Sequence, residues 1–137
     1  MLLRCFAALV VAIVCLPALA EACRCRQPPP PKEAAGSAAA VFSGKVTAIE
    51  FQEGRRTIEF EVALVWKGKP GAKLKIHTAD NEAACGYGFE VGGEYLVYCY
   101  KDRDGSLATN LCTRTRTLAE AATEDLPALG QGAMPGR

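Results

Sequence analysis

Five segments of alternating hydrophobicity, polar or glycine-bearing turns between them and one capped helix after the last predict an all-β fold with a terminal helix. The arrangement they suggest is a small closed five-stranded barrel of the oligonucleotide/oligosaccharide-binding type, an OB-fold. The chain has 137 residues, the size of one domain, and 50% of them are hydrophobic. Its 16 basic and 15 acidic side chains leave no broad cationic surface for a phosphate backbone, which argues against nucleic-acid binding. No apolar run reaches the roughly 18 residues that a membrane span needs. With a single histidine, His77, and no Ser-His-Asp or paired-histidine arrangement, most hydrolytic and metal-catalysed chemistries lack parts, so the composition points away from an enzyme.

The chain opens as a secretory signal peptide over residues 1–22: a short positive start at Met1–Arg4, an apolar run from Cys5 to Leu16, and Pro17 before small residues. Two cleavage frames fit. Ala18-Leu19-Ala20 would release Glu21, and Ala20-Glu21-Ala22 would release Cys23; the second follows the full extended segment after Pro17 and is preferred. A lipoprotein-type cut that acylates Cys23 is the third route, and Ala20 and Glu21 match its pattern poorly. Export places the protein in a secreted, periplasmic or extracellular setting, where disulfides persist. The domain is expected over residues 23–129, followed by a flexible tail at 130–137.

Behind the cut, Arg26–Lys32 carries four consecutive prolines and should be extended, while the Ala-rich Glu33–Ala40 should form a short helical or loop turn. Val41–Phe51 is β-rich, with Gly44 placed where a bulge or a close backbone crossing is allowed. Thr57–Trp66 alternates most clearly, Ile58, Phe60, Val62, Leu64 and Trp66 forming one face. Lys73–Thr78 alternates as well, with His77 beside two lysines on the polar, solvated face. Glu94–Tyr100 is apolar on both faces, and Asp104-Gly105 turns it into a fifth strand, Leu107–Leu111. Thr117-Leu118-Ala119-Glu120 is a capping box, starting a helix with Leu118, Ala121, Ala122 and Leu126 on one face that Pro127 should end or kink.

Five cysteines follow the preferred cut: Cys23, Cys25, Cys85, Cys99 and Cys112. An odd number leaves at least one thiol free or bonded to another molecule. Cys23 and Cys25 are one residue apart and would close a strained ring with each other, so each must reach Cys85, Cys99 or Cys112. Cys99, inside a strand, is either a buried free thiol or the link of a disulfide-bonded dimer.

These residues resemble the amino-terminal domain of tissue inhibitors of metalloproteinases, within the netrin-like module family. The resemblance is carried by Cys23-x-Cys25 with prolines behind it, Val41-Phe42-Ser43-Gly44-Lys45-Val46, Val65-Trp66-Lys67-Gly68, Cys85-Gly86-Tyr87-Gly88-Phe89, Gly93-Glu94-Tyr95-Leu96-Val97 and Cys112 at the end of the last strand. It spans about Cys23 to Leu129. It implies a five-stranded barrel with disulfides Cys23–Cys85 and Cys25–Cys112. It also implies a zinc metallopeptidase as partner, whose zinc is chelated by the α-amine and carbonyl oxygen of Cys23. Arg24, Cys25, Glu82, Ala83, Ala84 and Gly86 would then touch the protease. No cofactor or metal of the protein's own is implied. The sequence departs from the inhibitory pattern at Arg24, where relatives carry a small hydroxyl residue, and in the absence of a third disulfide and a carboxy-terminal subdomain. Netrin-like modules also serve as non-inhibitory interaction domains for other extracellular proteins, which is the rival reading.

Overall fold

A computed structural model describes residues 22–136. The expected signal peptide, apart from Ala22, lies outside the described residues. The fold is mostly β. After a short helix, α1 (Pro31–Ser37), come β1 (Ala40–Gln52), β2 (Arg55–Lys67), β3 (Lys73–Ala79), β4 (Glu94–Lys101), β5 (Leu107–Ala108) and β6 (Arg116–Thr117), then two short helices, α2 (Leu118–Ala121) and α3 (Asp125–Leu129). β1, β2, β3, β5 and β4 are hydrogen-bonded in that order, and β4 pairs back onto β1, so five strands form a ring. All pairings around the ring are antiparallel except that of β3 with β5, which is parallel and joins His77 to Ala108.

The doubly apolar β4 separates two cores. Tyr95, Val97 and Cys99 point into the ring, where Phe42, Val46, Ile58, Phe60, Val62, Ile76 and Phe89 fill it. Leu96 and Tyr98 point outward, where Val41, Ala121, Leu118, Leu126 and α1's Ala34 and Ala35 cover them. Phe60 stacks edge-on against both Phe42 and Phe89, at centroid distances of 5.2 and 5.4 Å.

Several sequence expectations are corrected. On β2, the alternation beginning at Ile58 does not continue through Leu64 and Trp66: Val65 joins the inner core and Trp66 the outer one. The register slips where Ser43 and Gly44 face Leu64 and Val62, and again between Val65 and Lys67, which face Phe42 and Val41. Each skipped residue, Ala63 and then Trp66, is a bulge that turns the following side chains to the other face. Gly44 sits at this crossing because a Cβ there would lie 2.8 Å from the Glu61 carbonyl oxygen.

The fifth strand is also shorter than expected, ending at Ala108 and resuming as β6. Between the two pieces, side-chain hydroxyls serve Tyr98 of β4 in place of a strand backbone. Thr115 Oγ1 accepts from the Tyr98 N–H at 3.0 Å, and Thr109 Oγ1 donates to the Tyr98 carbonyl at 2.9 Å. The backbone between these threonines is thereby released to loop outward, carrying Cys112 with it. Finally, the terminal helix is broken. The capping box at Thr117 and Glu120 is present, but α2 lasts one turn, and Pro127 lies in the first turn of α3, where its missing N–H costs no bond.

Residues 130–136, expected to fray, instead lie along the end of β2 and the turn that follows it, where Gly136 donates to the Pro70 carbonyl at 3.2 Å. β3 pairs only with Arg55–Glu61, leaving one edge of the rest of β2 open. Ala133 exchanges both backbone bonds with Val65 at 2.8 Å, and Trp66 Nε1 donates to the Gly130 carbonyl at 2.8 Å.

One buried ion pair ties the ends of the domain together. Arg114 donates to Asp125 through Nε at 2.7 Å and Nη2 at 3.2 Å, and through Nη1 to the Pro29 carbonyl at 3.2 Å. Tyr98 Oη and Arg116 complete the shell around Asp125. Burial alone would raise the Asp125 carboxyl, but the hydrogen bonds from Arg114 and Tyr98 outweigh it and hold the group below its ordinary value. A depressed carboxyl stabilises the fold above its unfolded-state pKa and loses that contribution as pH falls through the folded value. Replacing Asp125 with Asn strands a buried guanidinium and should cost about 3–5 kcal/mol. Denaturation of Asp125→Asn should also lose part of the wild-type stability decline below about pH 4. An unchanged midpoint in urea at pH 7 would refute this.

Candidate functional site

The amino-terminal segment 22–30 has no regular secondary structure and is held by sulfur at two points. Cys23 is bonded to Cys85, and Cys25 to Cys112, the pairing that the resemblance implies. The bridges close loops with separations of 62 and 87 residues, and each removes about 4 kcal/mol of denatured-state chain entropy in the loop-closure account. They are neighbours: Cys23 Sγ lies 3.7 Å from Cys112 Sγ and 3.9 Å from Cys25 Sγ. Three of these sulfurs are close enough together to hold a metal ion, but all three are committed to disulfides, which removes the thiolate chemistry a metal would need.

The loop that receives Cys23 is built for that bond. Asn81 Oδ1 accepts from the Ala84 N–H at 2.9 Å, capping a single 3-10 turn over Glu82–Ala84. Cys85 ends the turn in the left-handed region at φ 66°, which turns the chain sharply back. Gly86 follows, buried, and donates to the Asn81 carbonyl at 2.9 Å; a Cβ there would lie 2.2 Å from the Ala79 carbonyl oxygen. Arg56 bridges the two ends of the loop, donating to the carbonyls of Ala79 at 3.2 Å and Tyr87 at 2.7 Å. The Cys85 carbonyl in turn accepts from Leu111 at 2.9 Å, linking this loop to the one that carries Cys112.

Of the residues singled out from the sequence, the fold brings Cys23, Arg24, Cys25, Glu82, Ala83, Ala84, Cys85 and Cys112 to one edge. Arg24, Cys25 and Glu82–Ala84 are exposed, Cys23 half-buried. Gly86 is different: it lies beneath this surface and acts by letting the loop close. Cys99 is 1% exposed in the inner core, and burial pushes its thiol up to about 12. It is the free cysteine of the described residues. His77, expected to be solvated, is half-buried with Nδ1 3.1 Å from Thr57 Oγ1; burial, and then Arg55, lower its pKa. Sequence reasoning missed Asn81, Arg56 and the Arg114–Asp125 pair. Asn81 ahead of a short Ala-rich turn is a readable capping signal.

Alanine at position 86 cannot fit without displacing Ala79 or the turn that carries Cys85. The Gly86→Ala protein is expected to lose about 3 kcal/mol of stability and to accumulate reduced or mispaired Cys23. Thiol counting by mass spectrometry, together with chemical denaturation, reads both effects, and a wild-type result would remove the role given to this glycine. The chain matches no protein-family model and no curated protein, so what this edge does is read from its own residues and geometry.

Proposed function

We propose that the five-stranded ring is an OB-type barrel and that the protein is a secreted, TIMP-like inhibitor of zinc metalloendopeptidases. In this reading, cleavage after Ala22 frees the Cys23 amine. The observation that carries the reading is the double sulfur clamp, which fixes the Cys23 backbone at an exposed edge beside Glu82–Ala84.

An α-amine has an ordinary pKa of about 7.7–8.0, so near neutral pH it loses its proton at little cost and offers a lone pair. Paired with the carbonyl oxygen of its own residue, it forms a five-membered chelate with a metal ion. Catalytic zinc keeps one coordination position open for the water that attacks the substrate. Occupying that position with the Cys23 nitrogen and oxygen expels the water and stops hydrolysis. The clamp holds both atoms in place before binding, so little conformational entropy is lost on contact.

Intact-mass analysis of the exported protein tests the first requirement: a Cys23 start is expected, and retained Glu21-Ala22 or an acyl group would block chelation. With the start free, the protein is assayed against a panel of zinc endopeptidases beside a variant bearing one alanine before Cys23. The variant should lose at least about a hundredfold in inhibition while its melting temperature stays unchanged; equal potency would overturn the zinc mechanism. The proton competes with zinc for the amine, so inhibition should also weaken about tenfold per pH unit below about pH 7, and a flat profile would count against it. A free amine that inhibits no zinc endopeptidase would leave a non-inhibitory interaction module.

A further inference from the structure

Cys23-Arg24-Cys25-Arg26 alternates sulfur and guanidinium. The sulfurs of Cys23 and Cys25, 3.9 Å apart, lie on the same side of the segment, turned toward partners on the ring. Alternation of side chains along an extended segment sends the residue between them the other way. Arg24 and Arg26 are both exposed, and neither forms an ion pair among the described residues, whereas Arg55, Arg114 and Arg116 each hold a carboxylate. Two unpaired cations thus flank Cys25, and the exposed Glu82 lies in the short turn that leads into Cys85, the partner of Cys23.

We infer that the partner of this edge is a zinc endopeptidase whose cleft carries carboxylates beside the metal, on the side that receives Arg24 and Arg26. The inference rests on the chelating role proposed for Cys23. Consecutive Cα atoms are about 3.8 Å apart, so with Cys23 on the metal the Arg24 side chain is the first that the cleft must house. An apolar pocket would bury an unpaired guanidinium, which is strongly unfavourable. A carboxylate turns the same burial into a charge-assisted, bidentate contact. Arg26, about 6–7 Å further along an extended segment, meets a second acid or the acidic rim.

The test uses the exported protein with a free Cys23 and two zinc endopeptidases profiled on peptide libraries. One selects Lys or Arg next to the cleaved bond, the other Leu or Phe. Inhibition of the first should be at least about tenfold tighter, with an association rate that falls as salt rises. Arg24→Gln should erase that preference, Arg26→Gln should reduce it, and Arg24→Leu should shift inhibition toward the second enzyme. Both arginines are exposed, so melting temperatures should not move. The alanine-extended protein is run in every arm to report chelation separately. If it is inactive while Arg24→Gln matches the wild type on both enzymes, the acidic cleft is overturned and chelation stands. If the wild type inhibits neither enzyme, both readings fall.

Discussion

The two adjacent disulfides are the constraint on which the rest of the structure depends. A nine-residue stretch without helix or strand, 22–30, has no backbone ladder of its own, so its position is set by what its two sulfurs reach. Those partners lie in two different loops, and the loops must meet at one place. That requirement explains local features that look unrelated along the chain: a left-handed backbone at Cys85, a glycine without room for a methyl group at 86, and a fifth strand that gives up its pairing so that Cys112 can swing out. The Leu111–Cys85 backbone bond closes the two loops on each other independently of the sulfurs.

Two further ties keep the segment from pivoting about the clamp. Pro31 is buried at the start of α1, and the Pro29 carbonyl is held by Arg114, whose charge is balanced by Asp125 and by the exposed Glu124. A buried pair of this kind adds little net stability over apolar packing, but with bonds to four elements it has one satisfied arrangement, and so it specifies geometry. The outer face of β4, the start of α1 and both carboxy-terminal helices meet around it. The edge that carries Cys23 is therefore braced from behind by the second core, not only from the side by sulfur.

Much of this was legible in the sequence where period and chemistry are local. The strands β1–β4, the capping box, the close backbone crossing at Gly44 and the two-sided burial of β4 follow from alternation and from single-residue sterics. What failed to show is non-local. The face reversal at Val65 comes from the bulge at Ala63 opposite β1, which depends on the partner strand's register. The hydroxyl substitution by Thr109 and Thr115 reads as ordinary polar loop until Tyr98 is known to lie beside it. Arg114 and Asp125, eleven residues apart with no continuous helix joining them, look like two surface charges. The tail from Gly130 looked free because nothing in its composition announces the open edge of β2 that it covers.

Rigidity also bears on how such an edge could survive the enzyme it is proposed to block. A flexible peptide laid across a protease's metal is a substrate, because after one bond breaks the fragments drift apart. Here the residues nearest the metal would be Cys23 to Cys25, each sulfur fixed to a separate loop of the same ring. Should a bond between them be cut, both new ends would stay anchored within a few ångströms, at an effective concentration that favours resealing over release. Chelation by the first residue meanwhile removes the water that would do the cutting. On the proposed reading, the same pair of bridges that orders the edge before binding also makes it a poor substrate, which a single bridge, leaving one end free, would not achieve.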